Sequence, residues 1–433
     1  MTDQASRKPS RGSPAKAIER SMASLSEPSA AAPAVSQVVC VHNRNRDGYE
    51  VPLALAEAGL LSGFVTDFYA DPRLHRLLPR FLARRYRQGL PATLTHLALG
   101  SFAVQYLAEL LKVPMQRVFG LTDRLLGSRA VRLARRQGAG LLAYSSYLDG
   151  DPRLGPGAAV IDFEYHPHPA LTMEILEADF ARYPQVAWSM ALERKAAGNK
   201  RVNDAWRYAD SVICASAMTR ASLERAGCPP ERITIIPYGS DGNAPDAVRR
   251  PDGPCRFLFV GQGLQRKGLH HLALAWQEAT PTGSELTIVS YRTDPGIVPL
   301  LDQRGITVLG RQSREELNAL FRSADVFIMP SLVEGFGLVY LEALEAGCHV
   351  VGTRETGLPD LNLTPQAATI VPAGEILALA ETITGLERRK AAGDLDPAAI
   401  QAEARRWTWK EFREAIAAHV RQVLDRVAVS GTN

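Results

Sequence analysis

RFLFVGQGLQRKG, residues 256–268, combines three features in order: an apolar run, a glycine-rich turn and the start of a helix. The helix is predicted to continue over residues 270–278. A short apolar run that leads through such a turn into a helix is typical of a buried strand in a parallel sheet with helices on both faces. Ligands of these sheets bind beyond the carboxyl ends of the strands, which is where this turn lies.

The same alternation of apolar runs and helical stretches extends over most of the chain. Downstream, strands are predicted at residues 285–289, 306–309 and 326–329, with a helix at 338–346. Upstream, strands are predicted at residues 38–41, 158–163, 211–215 and 233–237, with a helix at 51–59. Two series of this kind predict an α/β protein with two doubly wound, Rossmann-like domains that face each other.

The segments outside these two series define the predicted domain boundaries. Residues 1–36 are rich in Ser, Ala, Pro and charge, and are predicted to be a disordered tail. Residues 37–243 would form the N-terminal domain, the turn-rich residues 244–252 a linker, and residues 253–404 the C-terminal domain. The amphipathic residues 405–433 are predicted to form a helix that crosses back onto the N-terminal domain.

The composition indicates a soluble globular protein and argues against several other classes of protein. The chain has 433 residues, 46% hydrophobic and 22% charged, as in an ordinary soluble globular protein. Its 50 basic and 46 acidic residues nearly balance, which argues against a dedicated nucleic-acid-binding protein. The five cysteines lie far apart without a Cys-x-x-Cys pair, so neither a disulfide framework nor a zinc site is predicted. No apolar run precedes Val35, so no signal peptide is predicted and the expected location is the cytoplasm.

PSLVEGFGLVYLEA, residues 330–343, is a second glycine-rich turn between a predicted strand and a helix. Its two glycines allow close approach of the backbone to a ligand, and the helix N-terminus offers free N–H groups to oxygen atoms. Glu334 precedes the turn and Glu342 follows eight positions later, an arrangement suited to hydrogen bonding with vicinal hydroxyls of a sugar or ribose. The alternative is a surface glutamate and a glutamate stabilised by the helix dipole. We favour the binding site because the spacing and the glycines coincide.

Arg266 and Lys267 lie between the turn of the first motif and its helix. The preceding residues resemble a dinucleotide fingerprint, but the third glycine position is occupied by Arg266, whose side chain would fill the close contact between helix and sheet. Two adjacent cations here instead predict a cradle for a diphosphate, which would stabilise a leaving nucleotide diphosphate without a metal ion. The alternative is a solvated pair of cations in a loop.

Together the two motifs resemble those of the retaining GT-B glycosyltransferases of family 4, the glycosyl transferases of group 1. The family pattern of two glutamates separated by seven residues is matched by Glu334 and Glu342. Its glycine loop with a Lys-Gly pair is matched by Gly261, Lys267 and Gly268.

The resemblance extends over residues 211–357. It departs from the family at Gln262, where many members carry arginine, and Arg266 would supply that charge.

The resemblance implies a GT-B fold and an enzyme that transfers a sugar, with retention, from a nucleotide-diphosphate sugar to a hydroxyl. The donor would be a UDP- or GDP-sugar, and the acceptor a glycan, a lipid-linked molecule or a small molecule. No cofactor and no metal ion is expected. The N-terminal domain would bind the acceptor and the C-terminal domain the nucleotide sugar.

The resemblance also implies roles for individual residues. Glu342 would hold the donor ribose, Glu334 would contact hydroxyls of the transferred sugar, and Arg266 and Lys267 would face the diphosphate. The remaining donor-binding candidates are Gly261 in the first turn, the backbone of Gly335, Phe336, Gly337 and Leu338 in the second, and Gly310 and Arg311 beside the nucleobase.

In the N-terminal half, the family carries a glycine in the first loop and often a histidine near the donor. Gly48 in the loop of residues 42–49 is the candidate for close approach to a phosphate. His166, after the strand at 158–163, is the candidate catalytic histidine beside Glu334 and Lys267. Asp162 and His168 are alternatives, and a histidine that only hydrogen-bonds at the end of a strand fits equally well.

Asp149-Gly150-Asp151 matches the Asp-x-Asp sequence of metal-dependent glycosyltransferases. It lies in a turn rich in glycine and proline, where aspartates are common for conformational reasons. No metal ligands are therefore predicted here.

Residues 73–136 contain thirteen basic residues, twelve arginines and Lys112, and few acidic ones. Within them, residues 74–90 alternate Leu or Phe with Arg at helical spacing, although Pro79 interrupts the pattern. A basic amphipathic helix of this kind would dock on an anionic membrane surface and make the protein peripheral at the inner face of the membrane. A solvated helical face fits the pattern equally well.

The sequence thus predicts a glycosyltransferase without a nucleic-acid partner. The alternatives are a non-catalytic nucleotide-sugar-binding or scaffolding protein, and a sugar-nucleotide epimerase or hydrolase on the same fold. Glu334, Glu342 and Lys267 are all present, which favours the enzyme.

Overall fold

A computed structural model describes residues 37–70, 73, 77–113, 118–242 and 253–430. The predicted tail, residues 1–36, and the predicted linker, residues 244–252, lie outside these residues. The boundaries assigned to the two domains from the sequence remain a prediction.

The first sheet is parallel throughout, with the strand order β3-β2-β1-β4-β5-β6-β7. Its central strands are buried on both faces, which explains why they are continuous apolar runs in the sequence. The strands are β1 (Val38–Val41), β2 (Leu61–Thr66), β3 (Thr95–Leu97), β4 (Gly140–Tyr144), β5 (Val160–Glu164), β6 (Ser211–Cys214) and β7 (Ile233–Ile235). The helices are α1 (Glu50–Glu57), α2 (Arg80–Ala83), α3 (Leu99–Leu110), α4 (Phe119–Gln137), α5 (Pro169–Arg182), α6 (Ala187–Ala197), α7 (Lys200–Asn203) and α8 (Ala217–Arg225).

The second sheet is also parallel throughout, with the order β10-β9-β8-β11-β12-β13. The strand order reverses between β8 and β11, and ligands bind at such a switch point. The strands are β8 (Cys255–Val260), β9 (Ser284–Val289), β10 (Ile306–Leu309), β11 (Val326–Ile328), β12 (His349–Thr353) and β13 (Ala368–Val371). The helices are α9 (Leu269–Ala279), α10 (Arg314–Ser323), α11 (Leu338–Glu345), α12 (Ile376–Ala391), α13 (Pro397–Ala404) and α14 (Trp409–Ser430). The predicted fold, two doubly wound α/β domains, is confirmed.

The last helix, α14, packs on the first sheet's helix α1. Arg413 of α14 donates to Glu50 at 2.7 Å and to Glu57 at 2.8 Å. The helix begins after a capping box in which Thr408 and Glu411 each accept a hydrogen bond from the other's backbone N–H. It therefore begins four residues later than predicted, and α13 is a separate helix.

The basic amphipathic helix predicted over residues 74–90 is wrong for the described part of that segment, where only α2 is an α-helix. Two arginines of this segment form ion pairs with buried carboxylates instead of lining an exposed face. Arg85 pairs with the buried Asp67 at 2.5 Å, and Arg87 pairs with the buried Glu50. These two ion pairs hold the chain in a non-helical path after α2.

Candidate active site

The loops that follow β8 and β11 touch each other at the switch point of the second sheet. Gly268, which ends the first loop, has a φ of +67°, and a Cβ atom there would overlap the carbonyl oxygen of Pro330 in the second loop. Glycine is required at this position for both reasons. The contact brings the two sequence motifs into one site.

Lys267 and Arg266 enclose the carboxylate of Glu334. Lys267 Nζ contacts Glu334 Oε2, and Arg266 Nη1 lies 3.1 Å from the same oxygen. The three side chains are 10–20% exposed, so water screens their charges poorly. Burial opposes ionisation of Glu334, but the two cations outweigh it and lower the pKa of this carboxyl below its usual range. Burial lowers the pKa of Lys267, although Glu334 opposes this shift.

The second loop is held by the N-terminal end of α8. Ser216 Oγ donates to the carbonyl oxygen of Gly335, and Thr219 Oγ1 donates to it at 3.2 Å. Phe336 packs edge-on against Tyr238 of the first half of the chain. The loop ends at Gly337, and Leu338 begins α11. The glycine turn is thus a contact between the two sheets as well as a lead into the helix.

His166 lies against this loop on the opposite side of the interdomain cleft. A Cβ atom on Gly335 would overlap the carbonyl oxygen of Tyr165 and would lie 3.5 Å from the Cα atom of His166. Desolvation in the cleft, with Arg266 and two further cations nearby, lowers the pKa of His166. The imidazole is therefore neutral near pH 7.

Arg46 is a site residue that the sequence reasoning missed. Its guanidinium lies 4.0 Å from the centre of the Tyr165 ring, next to His166. The neighbouring Asp47 anchors the loop, because its carboxylate accepts hydrogen bonds from Tyr144 at 2.8 Å and Tyr238 at 3.2 Å. The arginine could have been singled out because it lies in the loop after β1, at the carboxyl edge of the sheet.

Gly48 occupies the same loop with a φ of +62°, and its neighbours Asp47 and Tyr49 also have positive φ values of 47° and 64°. Three consecutive left-handed residues store backbone strain, which is typical of functional loops. The structure places Gly48 beside Glu50, where a Cβ atom would meet the Glu50 side chain at 3.6 Å. Its approach to a phosphate remains a prediction.

Arg311, after β10, lies beside an exposed aromatic ring. Its guanidinium is 5.2 Å from the centre of the Tyr291 ring. Gln262, in the first loop, donates to the Tyr291 hydroxyl at 2.5 Å. Gly310 has open space around its Cα atom, and Gly261 lies in the same loop as Gln262. The structure thus adds Tyr291, 56% exposed, as a surface on which a base could stack.

Glu342 contacts a different cation from Glu334. Arg314 of α10 donates to its carboxylate at 2.8 Å, and both side chains are partly exposed. The glutamate pair of the motif therefore divides into a buried member held by two cations and a more exposed member held by one. The role of Glu342 toward a ribose remains a prediction.

His168 and Asp162, the alternatives to His166 as catalytic residue, do not contact the cluster of Arg266, Lys267 and Glu334 in any hydrogen bond or ion pair described for them. His168 caps α5, because its Nδ1 accepts a hydrogen bond from the backbone N–H of Ala170 at 3.0 Å. Asp162 is fully buried in β5 and has no hydrogen-bond partner for either carboxylate oxygen. Glu164 and His166 line the same small cleft. Burial raises the pKa of Glu164 to about 7 and that of Asp162 well above its usual range.

Asp149 and Asp151 form contacts typical of a surface turn. Asp149 lies 3.7 Å from Arg124, and Asp151 accepts a hydrogen bond from the backbone of Arg153 at 2.8 Å. These contacts agree with the turn interpretation of this segment.

The helices α3 and α4 expose a set of large apolar side chains. The set consists of Leu99, Tyr106, Leu107, Leu110 and Leu111 from α3 and its end, and Phe119, Leu121 and Leu125 from α4. Lys112 lies between the two helices, and Arg124 lies within α4. Within the described residues, no helix is long and apolar enough to cross a membrane.

Parts of the chain are similar in sequence to a known protein family and to known proteins. Residues 254–388 match the family model described as glycosyl transferases group 1. Glycogen synthase of Mycobacterium tuberculosis is 31% identical over 261 residues, which cover 55% of this chain and 60% of that protein. The putative colanic acid biosynthesis glycosyltransferase WcaL of Escherichia coli is 27% identical over 202 residues, which cover 42% of this chain and 49% of that protein. The chain thus spans less than two thirds of the length of either relative.

Solved structures resemble the whole described architecture. HepE of Anabaena, in complex with UDP and glucose, aligns with a TM-score of 0.56 and 18% identity, over 89% of this chain and 99% of that one. Sucrose-phosphate synthase of Thermosynechococcus elongatus aligns with a TM-score of 0.57 and 18% identity, over 91% and 100%. Residues 254–388 are therefore a glycosyl transferases group 1 domain, and the chain has the GT-B fold of two facing parallel-sheet domains.

Proposed function

We propose that the protein is a glycosyltransferase that moves a sugar from a nucleotide-diphosphate sugar to an acceptor hydroxyl, with retention and without a catalytic metal ion. The observation that carries the proposal is the buried cluster of Arg266, Lys267 and Glu334 at the switch point of the group 1 domain, opposite His166. HepE, which shares the fold, was solved with UDP and glucose, so a UDP-sugar is the first donor to test and a GDP-sugar the second.

The cations would act on the leaving group. When the bond between the anomeric carbon and the diphosphate breaks, negative charge develops on the diphosphate oxygens. Lys267 and Arg266 are positioned to stabilise this charge in poorly screened surroundings, and the N-terminus of α11 adds its dipole. Because a diphosphate competes with Glu334 for the same cations, donor binding would free the carboxylate for hydroxyls of the sugar.

His166 and Arg46 would complete the site from the other domain. A neutral imidazole can donate one hydrogen bond and accept another, which suits a sugar hydroxyl. Arg46 adds a third cation beside His166, and we assign it to the diphosphate.

A donor screen tests this function. Purified protein is incubated with UDP- and GDP-sugars, with and without candidate acceptors, and release of nucleoside diphosphate is measured. We expect release that depends on an acceptor, and a product whose anomeric configuration, determined by NMR, equals that of the donor. Binding without turnover would favour a nucleotide-sugar-binding or scaffolding protein. Donor consumption without an acceptor would favour a hydrolase or an epimerase.

We also propose that the acceptor is lipid-linked and that α3 and α4 dock on the anionic inner face of a membrane. The exposed apolar set on these helices supplies area to bury in the bilayer, and Lys112 and Arg124 supply attraction to anionic lipid.

Cosedimentation with anionic and neutral vesicles at low and high salt tests docking. We expect binding to anionic vesicles at low salt, lost in the Leu107→Ser/Leu110→Ser variant and retained in Leu377→Ser, which changes an exposed leucine of α12. Wild-type protein that stays in the supernatant with anionic vesicles at low salt would contradict docking.

A further inference from the structure

Asp179, His270 and His271 form a buried cluster across the interface between the two domains. Asp179 belongs to α5, and the two histidines lie in the first turn of α9. His270 Nε2 lies 3.1 Å from Asp179 Oδ2, and His271 Nε2 lies 2.8 Å from Asp179 Oδ1. One ligand atom from each residue lies within 4.8 Å of the others. In the described part of the chain, no other group of three or more His, Cys, Asp or Glu meets this criterion.

Hydrogen bonding within the cluster leaves several of its polar atoms unsatisfied. His271 is 1% exposed, and neither of its ring nitrogens has a hydrogen-bond partner. Its Nε2 lies close to Asp179 Oδ1, but the geometry is not that of a hydrogen bond. A buried polar group without a partner destabilises the folded state. His271 Nε2 and Asp179 Oδ1 each carry a lone pair and lie side by side, as two ligands of the same metal ion do.

We infer that Asp179, His270 and His271 bind a divalent transition-metal ion, with Zn²⁺ the best fit, and that this ion joins the two domains. One carboxylate and two imidazoles are ligands that Zn²⁺ prefers. Ligand atoms of a tetrahedral zinc site, at bond lengths of about 2.0–2.1 Å, lie about 3.3 Å apart, close to the separations in this cluster. The cluster contains no cysteine, so the spacing of the cysteines did not indicate it.

The charges of the cluster also suit a cation. A carboxylate and two imidazoles offer lone pairs, which a cation requires of its ligands. Asp294, which is buried nearby, adds a second negative charge that acts on His270.

The ion would also fix the diphosphate cradle. Gln265, which directly precedes Arg266 and Lys267, donates through Nε2 to Asp179 Oδ2 and to the carbonyl oxygen of Leu176, both at 2.8 Å. A metal ion on Asp179 would therefore hold the loop of the cations against α5. This consequence rests on the proposed function, whereas the metal site itself does not.

Metal binding by the full chain tests the site. The chelator-treated protein is titrated with Zn²⁺ in competition with a chromophoric chelator, and bound metal is measured after desalting. We expect one equivalent per chain, with affinity at least tenfold lower in Asp179→Asn and in His271→Gln. His419→Gln is the matched control, because it changes a half-buried helical histidine that hydrogen-bonds Ser211, and it should bind like the wild type.

If the variants do not fold, the site can be tested in the wild-type protein with Co²⁺, which binds in place of Zn²⁺ and absorbs visible light. Wild-type protein with one equivalent of Co²⁺ should show the visible absorption of a four-coordinate site with nitrogen and oxygen ligands. A sulfur-to-metal charge-transfer band would assign the ion to a cysteine and overturn the proposal. Absence of stoichiometric binding, or equal affinity in wild type and the folded variants, would show a hydrogen-bonded cluster only. These readouts need no sugar donor, so they succeed or fail independently of glycosyl transfer.

Discussion

Replacing Lys267 by alanine removes one of the two cations that hold the Glu334 carboxylate. Arg266 remains 3.1 Å from the carboxylate, so Glu334 keeps a charged partner and the variant is expected to fold. The Lys267 side chain is 14% exposed, and its contact with a diphosphate would be a charge-assisted hydrogen bond with little screening. Such a bond contributes about 1.5–3 kcal/mol. Donor affinity or kcat/KM should therefore fall roughly 10- to 150-fold.

Calorimetry with nucleoside diphosphate and steady-state kinetics with the donor measure this effect, and thermal unfolding verifies the fold. Lys410→Ala is the matched control, because this lysine is 77% exposed on α14 and contacts only Glu414 among the ion pairs described for it. The control should leave all three measurements unchanged. Wild-type donor affinity and wild-type kcat/KM in Lys267→Ala, at an unchanged unfolding temperature, would refute the diphosphate cradle.

Three further predictions follow from the site. Turnover should not require added Mg²⁺ or Mn²⁺ and should persist in the Asp149→Ala/Asp151→Ala variant, and turnover that needs added Mn²⁺ in wild type and is lost in the variant would contradict the metal-independent mechanism. Burial raises the pKa of Glu164 above its usual value, so the protonated carboxyl favours the folded state at low pH and this contribution is lost as the pH rises through the raised pKa. Glu164→Gln should therefore raise the free energy of unfolding at pH 8 and have little effect at pH 4.5, as measured by denaturant unfolding at both pH values. Glu342→Ala should raise the KM for the donor several-fold without lowering stability by more than about 1 kcal/mol, because its ion pair with Arg314 is partly exposed.

Burial alone does not decide which strands could be predicted, because the partly exposed β10 was predicted and the fully buried β4 was not. The predicted bounds of β1 and β10 coincide with those of the structure, and β8 differs by one residue. The strands β2, β3, β4, β12 and β13 were not predicted. In β2 and β12, Gly63 and Gly352 interrupt the apolar runs. Sequence patterns detect a strand through continuous burial of side chains, and a glycine removes that signal while the ladder of backbone hydrogen bonds continues.

The basic segment shows why charge patterns are ambiguous. Arginines at helical spacing predicted an exposed amphipathic face, whereas Arg85 and Arg87 pair with Asp67 and Glu50 in the structure. Both acidic partners come from elsewhere in the chain and are buried, so the local sequence contains no sign of them. The exposed apolar surface lies instead on α3 and α4, which follow this segment in the chain.

The site residues that could be predicted are those that lie within the two sequence motifs. Arg266, Lys267 and Glu334 were assigned to one site from two loops, and the structure brings them together. The contact of Glu334 with both cations was not predicted, because the sequence assigned it to a sugar hydroxyl. Arg46 was missed because it belongs to neither motif and lies in the other domain, next to Tyr165.

The contacts of the cradle loop divide into those within the C-terminal domain and those across the interface. Lys267 with Glu334, and Gly268 with Pro330, join two loops of the same sheet, so they persist whatever the arrangement of the domains. Gln265 with Asp179 of α5, and Arg266 with Glu193 of α6 at 3.6 Å, exist only when the domains are closed. Closure would therefore add contacts to Arg266, whose contact with Glu334 lies within the C-terminal domain. In the proposed reaction, the contacts within the domain would hold the diphosphate, and the interface contacts would act in the step in which charge develops.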